Sequence, residues 1–148
     1  MKRGGPLRRK TALSRSSSIP RASSEPKRKP VDPDDRVAER EAKRVVRERS
    51  GGVCEGCGEA RASNFAHRKR QGQGGPWCPS NGLDLCGSGS TGCHGWSHEN
   101  VTAAEELGWM LRSRQDPESE PAVLAGRGRV YLFPDGSVSS HPPQRKAA

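Results

Sequence analysis

Hydrophobic positions are sparse along this chain and gather into a few short groups separated by polar, Gly-rich and Pro-rich stretches. Up to residue 35 there is almost no apolar period, and Arg, Lys, Ser and Pro dominate, with Pro6, Pro20, Pro26, Pro30 and Pro33 as punctuation. Such a composition cannot offset its own ordering entropy, so residues 1–35 are expected to be a disordered basic arm. From Arg36 to Ser50 strong helix formers take over, with Ala38, Ala42, Val45 and Val46 on one side. Asp34 or Asp35 supplies an N-cap and Gly51-Gly52 a stop, which predicts a leading helix over residues 36–50.

Residues 51–110 form the expected body, crowded with Gly and turn residues. Asn64-Phe65-Ala66-His67 and Leu83-Asp84-Leu85 read as short strands, joined through a Gly-rich basic loop from Arg68 to Gly75. The stretch from His94 to Val101 is helix-compatible, and Thr102-Ala-Ala-Glu105 fits a capping box for a further turn ended by Gly108. Within residues 111–140, Arg129–Phe133, Pro-Asp-Gly and Ser-Val-Ser read as a C-terminal β-hairpin extension. Residues 141–148 are expected to be a disordered tail.

Leu, Ile, Val and Phe number 20 of 148 residues, below the level at which a packed core forms easily. No apolar run is long enough for a membrane span, and the basic start is not followed by an apolar signal core. A cytoplasmic protein with no membrane partner is the expectation. The net charge of +9 is unevenly placed: residues 1–30 hold ten Lys/Arg against the single acid Glu25, whereas the remainder is balanced. A basic arm on a neutral body suits sequence-independent contact with phosphate polyanions through counterion release.

The five cysteines, at 54, 57, 78, 86 and 93, are an odd number without a signal peptide, a poor fit to a secreted disulfide framework. Cys54-x2-Cys57 with Cys86 and Cys93 makes a four-thiolate set for a closed tetrahedral Zn2+ site, which would replace the missing core as the main support of the fold. Cys78 in place of Cys93 is the alternative fourth ligand. A redox CxxC fits less well, since no βαβ pattern surrounds it.

Three of the four histidines, His67, His94 and His98, fall in the same body. His94 and His98 are four apart, so on a helix both rings project from one face and can share a cation with open positions. Gly95 stands where a zincin motif needs Glu, and 36 residues separate Cys57 from His94 where a C2H2 finger has about 12.

Taken together, CEGCG at 54–58, AHRKRQGQGG at 66–75, PSNGLDLC at 79–86 and GCHGWSH at 92–98 resemble the HNH endonucleases, especially small phage-type members with a four-cysteine zinc. The blocks occur in the family's order across residues 54–98. The resemblance implies an α+β fold with a zinc-stabilised ββα-metal core. It makes His67 the general base, Asn81 the loop-pinning amide, and His94 with His98 the ligands of one catalytic divalent cation (Mg2+, Mn2+, Ni2+ or Zn2+). It also implies hydrolysis of duplex DNA, by nicking or double-strand cutting, to 5′-phosphate and 3′-hydroxyl ends, and a place beside phage packaging proteins such as terminase.

One position departs from the family pattern. Many members carry Asp or His as a further ligand immediately before the base histidine, and this chain has Ala66. An active enzyme with water in that place is the expectation; Asp84 or Glu99 filling it, a weakly bound cation, or a catalytically impaired DNA-binding or packaging-accessory module are the alternatives. Arg68, Lys69 and Arg70 follow the proposed base and are read as phosphate clamps, with Arg61 a weaker candidate. Trp77, Trp96 and Trp109 are expected to be core residues, and Cys78 and His141 spectators.

Overall fold

The structure, a computed structural model, describes residues 33–144, all within a compact unit spanning Val31–Ala148. The expected arm through residue 32 and the end of the expected tail lie outside the described residues. Helix α1 is Pro33–Ser50, starting before the expected Arg36. Proline at the first position supplies a preset φ, and Asp34 and Asp35 lie inside the first turn, where carboxylates favour the helix dipole, rather than acting as an N-cap ahead of Arg36. Ala42 and Val46 bury the apolar side.

The body is mixed α and β. Strands β1 (Asn64–His67) and β2 (Gly82–Leu85) pair antiparallel, with His67 opposite Gly82 and Phe65 opposite Asp84. The polypeptide then turns into α2 (Gly92–Glu99) and α3 (Val101–Glu106). Thr102 lies within α3, whose N-cap is Asn100 with no side-chain cap bond, so the expected capping box does not form. The C-terminal hairpin is part of a three-stranded antiparallel sheet of β3 (Ala122–Leu124), β4 (Gly128–Leu132) and β5 (Val138–Ser139).

The core is continuous across both sheets: Leu83, Leu85 and Ala66 pack in one cluster with Trp109, Met110, Ala122, Leu124, Val130 and Leu132. The chain boundary expected at residue 110 is therefore not a packing boundary. A second layer of support is polar. Arg49, at the end of α1, makes a two-pronged contact with Glu55 at 2.7 and 2.8 Å and donates to the carbonyls of Pro79 and Gly82. Glu55 in turn accepts from the Asp84 amide, so the helix end, the cysteine knuckle and β2 are locked together. No helix among the described residues is long and apolar enough to cross a membrane.

Candidate metal centre and histidine cleft

The Sγ atoms of Cys54, Cys57, Cys86 and Cys93 all lie within 4.8 Å of one another and could hold a metal ion. Cys57 and Cys86 are 4.0 Å apart, close to the roughly 3.8 Å between sulfurs on one tetrahedral Zn2+ with bonds of about 2.3 Å. Cys78 stands apart, its Sγ 3.1 Å from Ser80 Oγ, which resolves the choice of fourth ligand in favour of Cys93. Backbone amides point at the cluster: Cys86 N–H donates to Cys54 Sγ and Cys93 N–H to Cys86 Sγ. Amides at Ala60 and Glu59 bring the Cys57 thiol down to about 7, whereas burial pushes Cys54 and Cys93 up. Metal loading of this cluster therefore releases protons.

Cys93 and His94 are consecutive in α2, and the helix divides its residues between the sulfur cluster and a cleft of ≈ 280 Å³. His67, Arg70, His94 and His98 all line this cleft, with Ala66, Gln71, Ser97 and Met110 among its other walls. His94 Nε2 and His98 Nε2 are 3.2 Å apart. Two nitrogens held about 2.0–2.1 Å from one ion, roughly 100° apart, have that separation, so the pair fits a shared divalent cation. The buried nitrogens His67 Nε2 and His94 Nδ1 have no hydrogen-bond partner, unusual for polar atoms without a function. Gly95 is fixed between the two histidines because a Cβ there would run into the Ser90 backbone.

His67 ends β1, T-shaped against both Phe65 (5.0 Å) and Trp77 (4.3 Å). Burial first, then the positive charge of Lys43, lowers its pKa below the ordinary histidine value, with Glu39 opposing. The ring is thus held in its neutral, proton-accepting form at pH 7. Gly82 is required opposite it, since a Cβ would sit inside the Phe65 ring.

Asn81, fully buried, pins the loop that carries the expected basic residues. Its Oδ1 accepts from Lys69 N–H at 2.7 Å, and its Nδ2 donates to the Lys69 and Pro76 carbonyls at 3.0 Å each. With both amide hydrogens used, the 3.4 Å approach to His67 Nδ1 positions the ring by contact rather than by a third strong bond.

The expected phosphate clamps separate into three fates. Arg68 is 0% exposed and donates to five backbone carbonyls, those of Gly108, Ser80, Pro117, Glu120 and Pro121. Every donor of its fork is used and water is excluded, so Arg68 staples the fold and is not a phosphate contact. Arg70 is exposed on the cleft, and Lys69 is half-buried beside it. Neither Asp84 nor Glu99 replaces the ligand absent at Ala66. The Asp84 carboxylate is bonded to Ser50 and Arg47 on the α1 side, and Glu99 is not among the residues lining the cleft. Of the tryptophans, Trp109 is buried, Trp77 packs on His67, and Trp96 departs from expectation at 39% exposed. Trp77, expected as a core residue, is half-buried against His67, and Met110, on the cleft wall, is a site neighbour that the sequence reading did not single out.

No family model matches the chain, and no curated protein or solved structure matches it either.

Proposed function

We propose that this protein is a divalent-cation-dependent endonuclease of the HNH type acting on duplex DNA, with a structural Zn2+ on Cys54, Cys57, Cys86 and Cys93. The observation that carries the reading is one cleft holding a neutral, half-buried imidazole at a strand end and two helix imidazoles whose Nε2 atoms converge at 3.2 Å. The convergence fits a cation on His94 and His98, which, when bound, supplies positive charge against the phosphate and the departing oxygen.

The chain's own groups do the remaining work. His67 takes a proton from water, for which a neutral imidazole near pH 7 is suited. Asn81 holds the 69–76 loop closed, so the wall beside His67 does not drift. Arg70, exposed on that wall, neutralises phosphate charge, and Lys69 adds to it. Apolar Phe65, Trp77 and Met110 limit water around the base.

Purified protein is expected to convert supercoiled plasmid to relaxed or linear form with Mg2+, Mn2+, Ni2+ or Zn2+. The His67→Ala variant should be slower by about 10²–10⁴-fold. Equal cutting by parent and variant would remove His67 from its role. Absence of cutting with every cation, alongside intact DNA binding, would favour the second reading, a packaging-accessory DNA-binding module. The observation behind that reading is Ala66, which puts a methyl group on the cleft wall where a third ligand would stand.

A further inference from the structure

A second charged feature lies outside the cleft. Arg36, Arg40, Lys43, Arg44 and Arg47 recur on α1 at spacings of four, three, one and three, which places all five on one face. Arg40, Lys43, Arg44 and Arg47 line a groove of ≈ 500 Å³ between α1 and β1, whose other walls include Asn64, Phe65 and Trp77. Its one carboxylate, Asp84, is buried and already bonded to Ser50 and Arg47. Arg61 extends the positive surface, sharing the adjoining hollow with Arg47 and Ser63. Neither Arg40 nor Arg61 has an acidic partner among the described residues. Lys43 pairs with Glu39, and Arg44 with Glu41 and Glu48, on open helix surface. Such exposed pairs are weak and exchange readily for a phosphate.

The groove and the histidine cleft share a wall, Phe65. A backbone lying in the cleft would therefore pass over Phe65 to reach the basic face of α1. We propose that this α1 groove is a track for the phosphate backbone of duplex DNA, with Arg40, Arg44 and Arg61 as its principal contacts. The proposal rests on the reading that the substrate is DNA, and it assigns affinity to a surface distinct from the reacting groups.

The test is fluorescence anisotropy of a labelled duplex with the full-length, zinc-loaded protein, without added divalent cation, over a series of salt concentrations. The triple variant Arg40→Gln, Arg44→Gln, Arg61→Gln is expected to lower the slope of log K against log salt by about 2–3, since each phosphate contact is worth about 0.9. A second triple, Arg112→Gln, Arg114→Gln, Arg129→Gln, removes the same charge from exposed positions outside the groove and should leave the slope near the parent's. Parent-like slope in the first triple, or equal loss in both, would overturn the track. Zinc content and far-ultraviolet circular dichroism of the first triple should match the parent, because none of the three side chains is buried. Binding and cutting are read separately. Groove-dependent binding without cleavage leaves the track standing and removes the nuclease reading; cleavage with an unchanged slope does the reverse.

Discussion

The sulfur cluster and the histidine pair draw on consecutive residues of one helix, Cys93 and His94, yet they are built to opposite plans. Four donors surround the first, backed by amides from the chain, and Cys54 within it is 1% exposed. Two donors form the second, and His98 stands on the surface. A saturated donor set supports structure, and an unsaturated one leaves positions for water and substrate. Because the two share α2, ordering the sulfur cluster also sets the register of His94 and His98.

The largest way to break this comparison is at the sulfurs. Cys54→Ser, or stripping the metal with a strong chelator, should abolish cooperative unfolding. Structural zinc contributes on the order of 10 kcal/mol, as much as the whole stability of a small domain. Thermal melts followed by circular dichroism check this, and a well-folded, metal-free Cys54→Ser protein would end the structural assignment. His98→Ala, by contrast, should leave the melting curve within about 0.5 kcal/mol of the parent's, as an exposed substitution. It should weaken Ni2+ binding to the zinc-loaded protein at least about tenfold by calorimetry. Unchanged Ni2+ affinity would separate His98 from the cation.

The next effect sets two arginines against each other. Arg68→Lys keeps the charge but offers three donors to five carbonyls, so it should cost about 2–4 kcal/mol in urea denaturation. Burial already draws the Arg68 pKa down to about 10, which leaves it charged at pH 7 and dependent on those carbonyls. Arg70→Ala should lie within about 0.5 kcal/mol of the parent while weakening DNA binding. A tolerated Arg68→Lys would show that the five carbonyls do not depend on the guanidinium fork.

These two arginines also mark where sequence reading stops. The strand Asn64–His67 and the cysteine quartet follow from local pattern and spacing, and both appear at the expected residues. Arg68 sits in a basic run, which reads as solvated charge. In the structure Ala66 faces the core, and Arg68, just past the end of β1, turns inward on the same side. The five carbonyls that receive it come from residues 80–121, and no local pattern foretells that convergence. Strand β3 was equally hidden, three residues long and defined by pairing with β4 rather than by its own period. The α1 start was readable from Pro33-Asp34-Asp35, given the preference for Pro at the first helical position and acids in the first turn.

The smallest expected effect concerns how α1 acts on the cleft. Lys43 lies over Trp77 at 5.2 Å, and Trp77 meets His67 edge-on, so the helix charge reaches the proposed base through one ring. Burial and Lys43 both lower the His67 pKa, whereas Glu39 raises it. A base must be neutral to accept a proton, so cleavage should persist as pH falls through about 6.5, the ordinary histidine value, and fail only below it. Folding stability has the same sign: the unfolded chain binds the proton more readily, so stability attached to neutral His67 is present above about 6.5 and lost on acidification. Lys43→Gln removes the lowering charge and leaves Glu39 unopposed, so the acid limb of the kcat/KM profile should move to higher pH, with the alkaline limb fixed. An acid limb that stays in place, or moves lower, would show that Lys43 does not tune His67 and that burial alone holds the ring neutral.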